Sequence, residues 1–160
     1  MGVKIAQLNS KKWALITGSS QGIGLETARA FANQNINLIL LARNEEKLKN
    51  IQKELSQKVD CRVVAQDLSE TEALKIKIQE VVNDVGPISI LINNAGGPKA
   101  GPLIEAQEEE FLNAFKTHII AAQTLAQILV PGMKQNQFGR IVNIISTSVK
   151  IPIPNLGVSN

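Results

Sequence analysis

The sequence predicts one doubly wound α/β domain built around a parallel sheet. Short apolar runs alternate with longer stretches in which apolar residues recur at helical spacing. Continuous apolar strands that alternate with helices are typical of a parallel sheet covered on both faces. The chain has 160 residues, 44% of them hydrophobic, which is enough for one core and requires no second domain. We therefore treat residues 1–160 as a single domain.

A glycine-rich turn follows the first predicted strand, Trp13 to Ile16, and precedes a helix expected to end between Asn33 and Asn35. The turn reads T-G-S-S-Q-G-I-G over residues 17–24. Glycines at this spacing allow a sharp turn, a close backbone approach to a pyrophosphate and close packing of the helix. The helix N-terminus and the serine hydroxyls offer donors to an anion. A simple turn between two elements would also contain glycines, but the strand before and the helix after favour a nucleotide site at Thr17, Gly18, Ser19, Ser20, Gly22, Ile23 and Gly24.

The other strands and helices follow in alternation. The runs 36–42, 61–65, 88–92 and 139–146 predict strands two to five. Asn44 is expected to cap the second helix, which has an apolar stripe at Leu48, Ile51 and Leu55. A third helix is predicted from Glu70 to Asp84, and a long one from Gln107 to Val130, interrupted near Pro131 and Gly132. Right-handed crossovers then give the strand order 3-2-1-4-5.

Composition and charge exclude several classes of protein. The net charge is +3 and the pI is near 9.1, but the basic residues are scattered and aromatic residues are few, so no nucleic-acid partner is expected. Residues 1–10 lack the continuous apolar core of a signal peptide. The longest apolar run, Leu38 to Ala42, is too short to span a bilayer. The lone Cys61 is predicted to be an inert buried thiol. We therefore expect a cytoplasmic protein with no membrane partner, and no metal site is predicted.

Arg43 stands nineteen positions after Gly24, where a dinucleotide fold meets the adenosine ribose. An acidic residue there would bind the ribose hydroxyls and repel a 2′-phosphate, but residues 42–44 contain no acid. The planar guanidinium of Arg43 could instead clamp the phosphate. NADP is therefore predicted over NAD, with a solvated arginine at a strand end as the alternative.

Three motifs in the same order resemble those of the short-chain dehydrogenase/reductase family. They are the glycine turn at residues 17–24, the sequence N-N-A-G at residues 93–96, and the strand at residues 139–146 that ends in Ser146. The resemblance extends from Lys12 to Asn160. It implies a Rossmann-like fold, and hydride transfer between a nicotinamide cofactor and a small carbonyl or alcohol substrate.

The resemblance also implies roles for individual residues. Asp67 and Leu68 match residues that contact the adenine ring, although Asp67 could instead cap the next helix. Asn93, Ala95 and Gly96 match residues that line the ribose and pyrophosphate side of the cofactor cleft. Ser146 matches the serine that hydrogen-bonds the substrate oxygen.

The sequence departs from the family pattern at the catalytic tyrosine. Ser159 stands at the tyrosine position, the chain contains no tyrosine, and it ends at Asn160, before the family's lysine position. A serine hydroxyl is far too basic to replace a phenol as general acid, although Ser159 could hydrogen-bond a substrate oxygen. Serine followed by asparagine at this place resembles a divergent branch of the family. Family members continue through further strands, so the C-terminal part of the fold is expected to be missing and strand five to form an exposed edge.

His118 occupies a position where the family usually has asparagine in a proton relay. It falls on the face formed by Phe111, Phe115, Ala122, Leu125 and Leu129, which predicts either a buried core histidine or a member of such a relay. The helix 107–130 also matches the one through which family members associate, so a homo-oligomer is expected. Because the tyrosine is absent, a nucleotide-binding sensor without turnover remains the alternative function.

Overall fold

The computed structural model describes residues 12–159, which form a five-stranded parallel sheet with helices on both faces. The strands are β1 (Trp13–Thr17), β2 (Asn37–Ala42), β3 (Cys61–Ala65), β4 (Ile90–Asn93) and β5 (Arg140–Asn143). The helices are α1 (Gly22–Asn33), α2 (Glu45–Leu55), α3 (Thr71–Val85), α4 (Glu108–Phe115) and α5 (Ala121–Gln135). The strand order is β3-β2-β1-β4-β5. The predicted fold class and strand order are therefore confirmed.

Strand β2 lies next to the central strand β1, and all six of its residues are buried. It pairs with β1 on one side and β3 on the other, with Leu38 opposite Ala14 and Cys61. Its one polar side chain, Asn37, exchanges hydrogen bonds with Asp60: the Asp60 N–H donates to Asn37 Oδ1 over 3.1 Å. Burying a leucine or isoleucine contributes about 1.5–3 kcal/mol, so this strand anchors the domain.

Alternate residues of the strands face two separate apolar layers. On one face, Leu38 and Leu40 pack with α1 and α2, which contribute Ala28, Ala32, Leu48 and Leu55. On the other face, Ile39 and Leu41 pack with α3 and α5, which contribute Leu74, Ile78, Leu125 and Leu129. This division fixes the positions of the loops at the carboxyl ends of the strands.

A π-helical segment, Lys116–Ile120, joins α4 to α5. A π turn contains one residue more than an α turn, so it shifts the buried face by about 100°. The buried residues of α5 are Ala121, Leu125, Leu129 and Met133, whereas Phe111 and Phe115 are 44% and 55% exposed. The single apolar face predicted for residues 111–129 is therefore wrong. Oligomer formation through this helix stays a prediction.

Three predicted boundaries differ from the structure by two residues or more. The long helix is not interrupted near Pro131, because α5 continues to Gln135 and ends where Gln137 adopts a φ of 52°. Strand β4 starts at Ile90 rather than Ile88. Strand β5 stops at Asn143, since the chain bends before Ser146 caps a short 3₁₀ turn, Thr147–Val149.

Strand β5 lies at the edge of the sheet, and all four of its residues are exposed.

Trp13, the first residue of β1, is half-buried beneath Arg62, whose guanidinium carbon lies 5.8 Å from the ring centroid. Arg62 also pairs with Asp84 over 3.0 Å. No helix within residues 12–159 combines the length and apolar character that crossing a bilayer requires.

Cys61 should be nearly unreactive in the native protein. Burial raises the pKa of its thiol to about 12, against a smaller lowering by the charge of Arg62, so almost no thiolate exists at pH 8. We expect iodoacetamide to modify Cys61 at least about a hundredfold more slowly in buffer than in urea, measured by intact mass. Equal rates in the two conditions would contradict a buried thiol.

Candidate functional site

A cleft of about 550 Å³ opens where β1, β2, β3 and β4 end. The carboxyl edge of a parallel sheet is where such folds bind ligands. The wall is formed by residues 18, 20–23, 41–44, 47, 66–68, 94–98, 113–114 and 117–118. Five segments that are distant in the sequence therefore meet at one site.

The glycine turn and Asn94 interlock at the base of the cleft. Gly18 has a φ of +60°, and a Cβ there would lie 2.5 Å from the carbonyl oxygen of Asn94. The Asn94 side-chain amide donates to the carbonyl oxygens of Thr17 and Gly18, both over 3.3 Å. A Cβ on Gly24 would collide with the Gly18 carbonyl. Gly18 and Gly24 are thus required by close backbone packing.

Thr17 and Ser19 are buried beneath the turn, at 1% and 0% exposure. The Thr17 hydroxyl donates to the Asn94 carbonyl over 2.7 Å and accepts from the Asn94 N–H over 2.8 Å. The hydroxyl and the N–H of Ser19 both donate to the carbonyl of Leu41. These side chains hold the loops in place and do not line the cleft. Their predicted direct contact with a cofactor stays a prediction.

The N-terminus of α1 opens onto the cleft without a cap. Gln21 provides no side-chain cap, and the first turn contains no acidic residue. The N–H groups of the first turn have no intrahelical acceptors, and they carry the positive end of the helix dipole. Gly22 has a φ of +57° with no atom within 4 Å of a Cβ placed on it, and Ile23 is 59% exposed. Ser20 lines the same wall. This end of the cleft therefore suits an anion.

Two cationic side chains and one carboxylate stand at the end of the cleft formed by β2 and β3. Arg43 and Lys47 both line it, and Arg43 Nη1 lies 3.7 Å from Asp67 Oδ2. The other oxygen of Asp67 accepts from the N–H and hydroxyl of Ser69, over 2.9 and 2.7 Å. Burial favours a raised pKa for Asp67, but these hydrogen bonds and the Arg43 charge outweigh it and lower the pKa below its ordinary value. Asp67 is therefore ionised at neutral pH, and Leu68 lies beside it in the wall.

The opposite end of the cleft is formed by α4 and the π-helical segment. Asn113, Ala114, Thr117 and His118 line it. His118 is half-buried and is not among the buried residues of the core, so of the two alternatives the buried core histidine is wrong. An imidazole can accept and donate a proton near neutral pH, which makes His118 the candidate acid–base group of this wall.

Two of the three predicted catalytic residues lie outside the cleft wall. Ser146 is exposed, and its hydroxyl oxygen accepts from the Ser148 N–H over 3.0 Å, which leaves its hydrogen free to be donated. The Ser148 hydroxyl donates to the Ser159 carbonyl over 3.4 Å, which joins the two segments. Asn93 is turned towards β5, donating to Asn143 Oδ1 over 2.8 Å. Ala95 and Gly96 line the cleft, as expected for close backbone approach.

The sequence interpretation missed Asn94 and Lys47. Asn94 is the second of two consecutive asparagines after an apolar strand, a doubling that a simple turn does not need. Lys47 follows the capping residue Asn44 by three positions, and its own N–H donates to Asn44 Oδ1 over 2.9 Å. That bond fixes the start of α2 and brings the lysine to the cleft.

Comparison with known proteins gives consistent matches. A family model described as short chain dehydrogenase matches residues 12–158. The Homo sapiens protein named inactive hydroxysteroid dehydrogenase-like protein 1 is 32% identical over 149 residues, covering 91% of this chain and 45% of the relative. The putative ketoacyl reductase of Streptomyces coelicolor is 37% identical over 143 residues, covering 86% of this chain and 54% of the relative.

A solved structure matches the fold as well. L-sorbose reductase from Gluconobacter frateurii, in complex with NADPH and L-sorbose, superposes with a TM-score of 0.86 at 34% identity. The match covers 94% of this chain and 59% of that one. The chain spans about half the length of the curated relatives it matches.

Replacing Thr17 by valine should destabilise the domain. The change keeps the shape but leaves the N–H and carbonyl of Asn94 without their partner, at a cost of about 1–3 kcal/mol. Urea unfolding measures the loss. Thr27→Val is the matched control, because the Thr27 hydroxyl only donates back to Ile23 within α1, in a solvent-exposed hydrogen bond. It should change stability by less than about 0.5 kcal/mol. If the two substitutions lowered stability equally, the Thr17–Asn94 hydrogen bonds would contribute no more to stability than a hydrogen bond within one helix.

Proposed function

The chain belongs to the short-chain dehydrogenase family, and from this premise we propose that its cleft binds NADP(H) for hydride transfer to or from a small carbonyl or alcohol compound. The observation that carries the proposal is that the uncapped N-terminus of α1 and two cationic side chains, Arg43 and Lys47, line the same cleft. Phosphate groups bind well at such helix ends. NADP(H) carries a phosphate group for each place, its pyrophosphate for the helix end and its 2′-phosphate for the two cations.

The residues present fit the pyrophosphate of a dinucleotide. Gly22 leaves open space where any side chain would stand, and its backbone lies beside unpaired N–H groups of α1. Asn94, held by Thr17, keeps the turn in this shape. These groups would hold the pyrophosphate through backbone donors, without a lysine or arginine.

The residues at the other end fit a 2′-phosphate. Arg43 supplies a planar guanidinium and Lys47 supplies an ammonium group on the same wall. Within residues 12–159, Lys47 has no carboxylate within ion-pair distance, so its charge is available to a ligand. A phosphate monoester carries nearly two negative charges at neutral pH. This pair of cations favours NADP(H) over NAD(H).

The chemistry is divided between the cofactor and the chain. When bound, the nicotinamide ring accepts or delivers the hydride. We propose that His118 holds the proton that the substrate oxygen gains or loses, because it stands in the cleft wall at the end opposite Arg43. The free hydrogen of the Ser146 hydroxyl would bind the substrate oxygen. Ser159 would orient that segment through its carbonyl, which accepts from Ser148.

A cofactor-binding sensor without turnover is the second candidate. It is favoured by the absence of tyrosine from the chain and by the similarity to a relative named as inactive. NADPH oxidation across a panel of aldehydes and ketones separates the two candidates. The reductase consumes NADPH with some member of the panel, whereas the sensor binds it without consumption.

Arg43→Gln should weaken NADPH binding about 10- to 100-fold and leave NADH binding unchanged, because a charged hydrogen bond contributes about 1.5–3 kcal/mol. Isothermal titration calorimetry measures both affinities. Arg29→Gln is the control: it removes the same charge, but Arg29 pairs with Glu26 and Glu54 outside the cleft. An equal loss of NADH and NADPH affinity in Arg43→Gln would contradict a role in 2′-phosphate binding.

His118→Asn should lower kcat about 10²- to 10⁴-fold, the usual contribution of a general acid or base, while the protein still binds NADPH. It should also change the pH dependence of kcat, because the side chain proposed to exchange the proton is gone. The measurement is steady-state NADPH oxidation with the best substrate of the panel. Full turnover with an unchanged pH profile would exclude His118 as the proton donor.

A further inference from the structure

We propose that Asp67 limits the preference of this chain for NADP(H) by competing with the 2′-phosphate for Arg43. The inference rests on the proposed function, since it concerns how strongly the same cleft distinguishes NADP(H) from NAD(H). It assigns Asp67 an electrostatic effect on the ribose end, in addition to any contact with the adenine.

The carboxylate of Asp67 is held in a fixed orientation. Its Oδ1 accepts two hydrogen bonds from Ser69, one from the N–H and one from the hydroxyl. This aspartate turn at the end of β3 locks the side-chain torsion. Its Oδ2 is consequently directed to one side, where Arg43 Nη1 lies 3.7 Å away.

The Arg43 side of the pair is loosely held. Its side chain is 82% exposed, whereas that of Asp67 is 34% exposed. Exposed ion pairs contribute only about 0.2–1 kcal/mol. A phosphate with nearly two negative charges can therefore draw the guanidinium away from Asp67, while the carboxylate stays where Ser69 holds it.

The exchange has a cost for NADP(H) alone. Arg43 must give up its carboxylate partner, and the phosphate then lies near a fixed negative charge. Binding of NAD(H), whose ribose has a free 2′-hydroxyl, neither breaks the Arg43–Asp67 pair nor places a phosphate near the Asp67 carboxylate. Asp67 thus reduces the preference for NADP(H) that Arg43 and Lys47 create, and the preference is the balance of the three charges.

The test is a double-mutant cycle on Asp67 and Arg43, read by calorimetry with NADPH and NADH. Asp67→Asn removes the charge but keeps an oxygen that can accept from Ser69, so the turn is retained. We expect the ratio of NADPH to NADH affinity to rise about two- to fivefold, and the rise to shrink in high salt. In the Arg43→Gln background the same substitution should change the ratio much less, because no guanidinium is left to compete for.

Asp84→Asn is the control for net charge, since its carboxylate pairs with Arg62 and does not line the cleft. It should leave the ratio unchanged. An unchanged or lower ratio in Asp67→Asn would overturn the inference while leaving the proposed function intact. A rise of equal size with and without Arg43 would also overturn it, because the effect would then not pass through Arg43. Binding of neither dinucleotide by the wild-type chain would overturn the proposed function and this inference together.

Discussion

The carboxyl ends of β1 and β4 are held together by the paired hydrogen bonds between Thr17 and Asn94, and the geometry of the cleft depends on this contact. One hydroxyl serves as donor and acceptor to both backbone groups of a single residue. The Asn94 side chain then fixes the carbonyls of the turn that starts α1. Because the turn cannot move without breaking these bonds, the N–H groups of α1 stay in place before any ligand arrives. Donors that are already fixed in place can bind an anion without the entropy cost of ordering a flexible loop.

The charges along the cleft are unevenly distributed, and this distribution gives it a direction. In the half of the cleft beside β1 and β2, the helix N-terminus and two side-chain cations favour the binding of phosphate. The half formed by α4 and the π-helical segment contributes an amide, a hydroxyl and an imidazole, with no formal charge fixed there among the lining residues. In the proposed complex the dinucleotide binds in one orientation, with its adenosine end at Arg43 and its reactive ring near His118. The role proposed for each residue follows from its position along the cleft more than from any one contact.

Much of the fold could be predicted from the sequence, because strands buried on both faces leave long apolar runs and the glycine turn marks the first crossover. The edge strand was harder: Arg140 to Asn143 is exposed, so burial does not set its length as it does for β2. The π-helical segment could not be predicted, since one extra residue per turn leaves no mark on composition, and this segment contains His118, which lines the cleft. Likewise, the inward direction of Ser19 and the reach of Lys47 depend on backbone geometry that side-chain identity does not reveal.

Trp13 gives the domain a built-in optical reporter of its own integrity. It is the one tryptophan in the sequence, and it lies at the start of β1, while the glycine turn follows the strand's other end. Arg62 above its ring is tied to β3 and, through Asp84, to α3. Its emission therefore senses whether β1, β3 and α3 remain assembled. A five-residue strand separates it from the glycine turn by roughly 15 Å, so a shift of its emission maximum reports on the scaffold. Energy transfer to a bound reduced nicotinamide would instead report on occupancy of the proposed site.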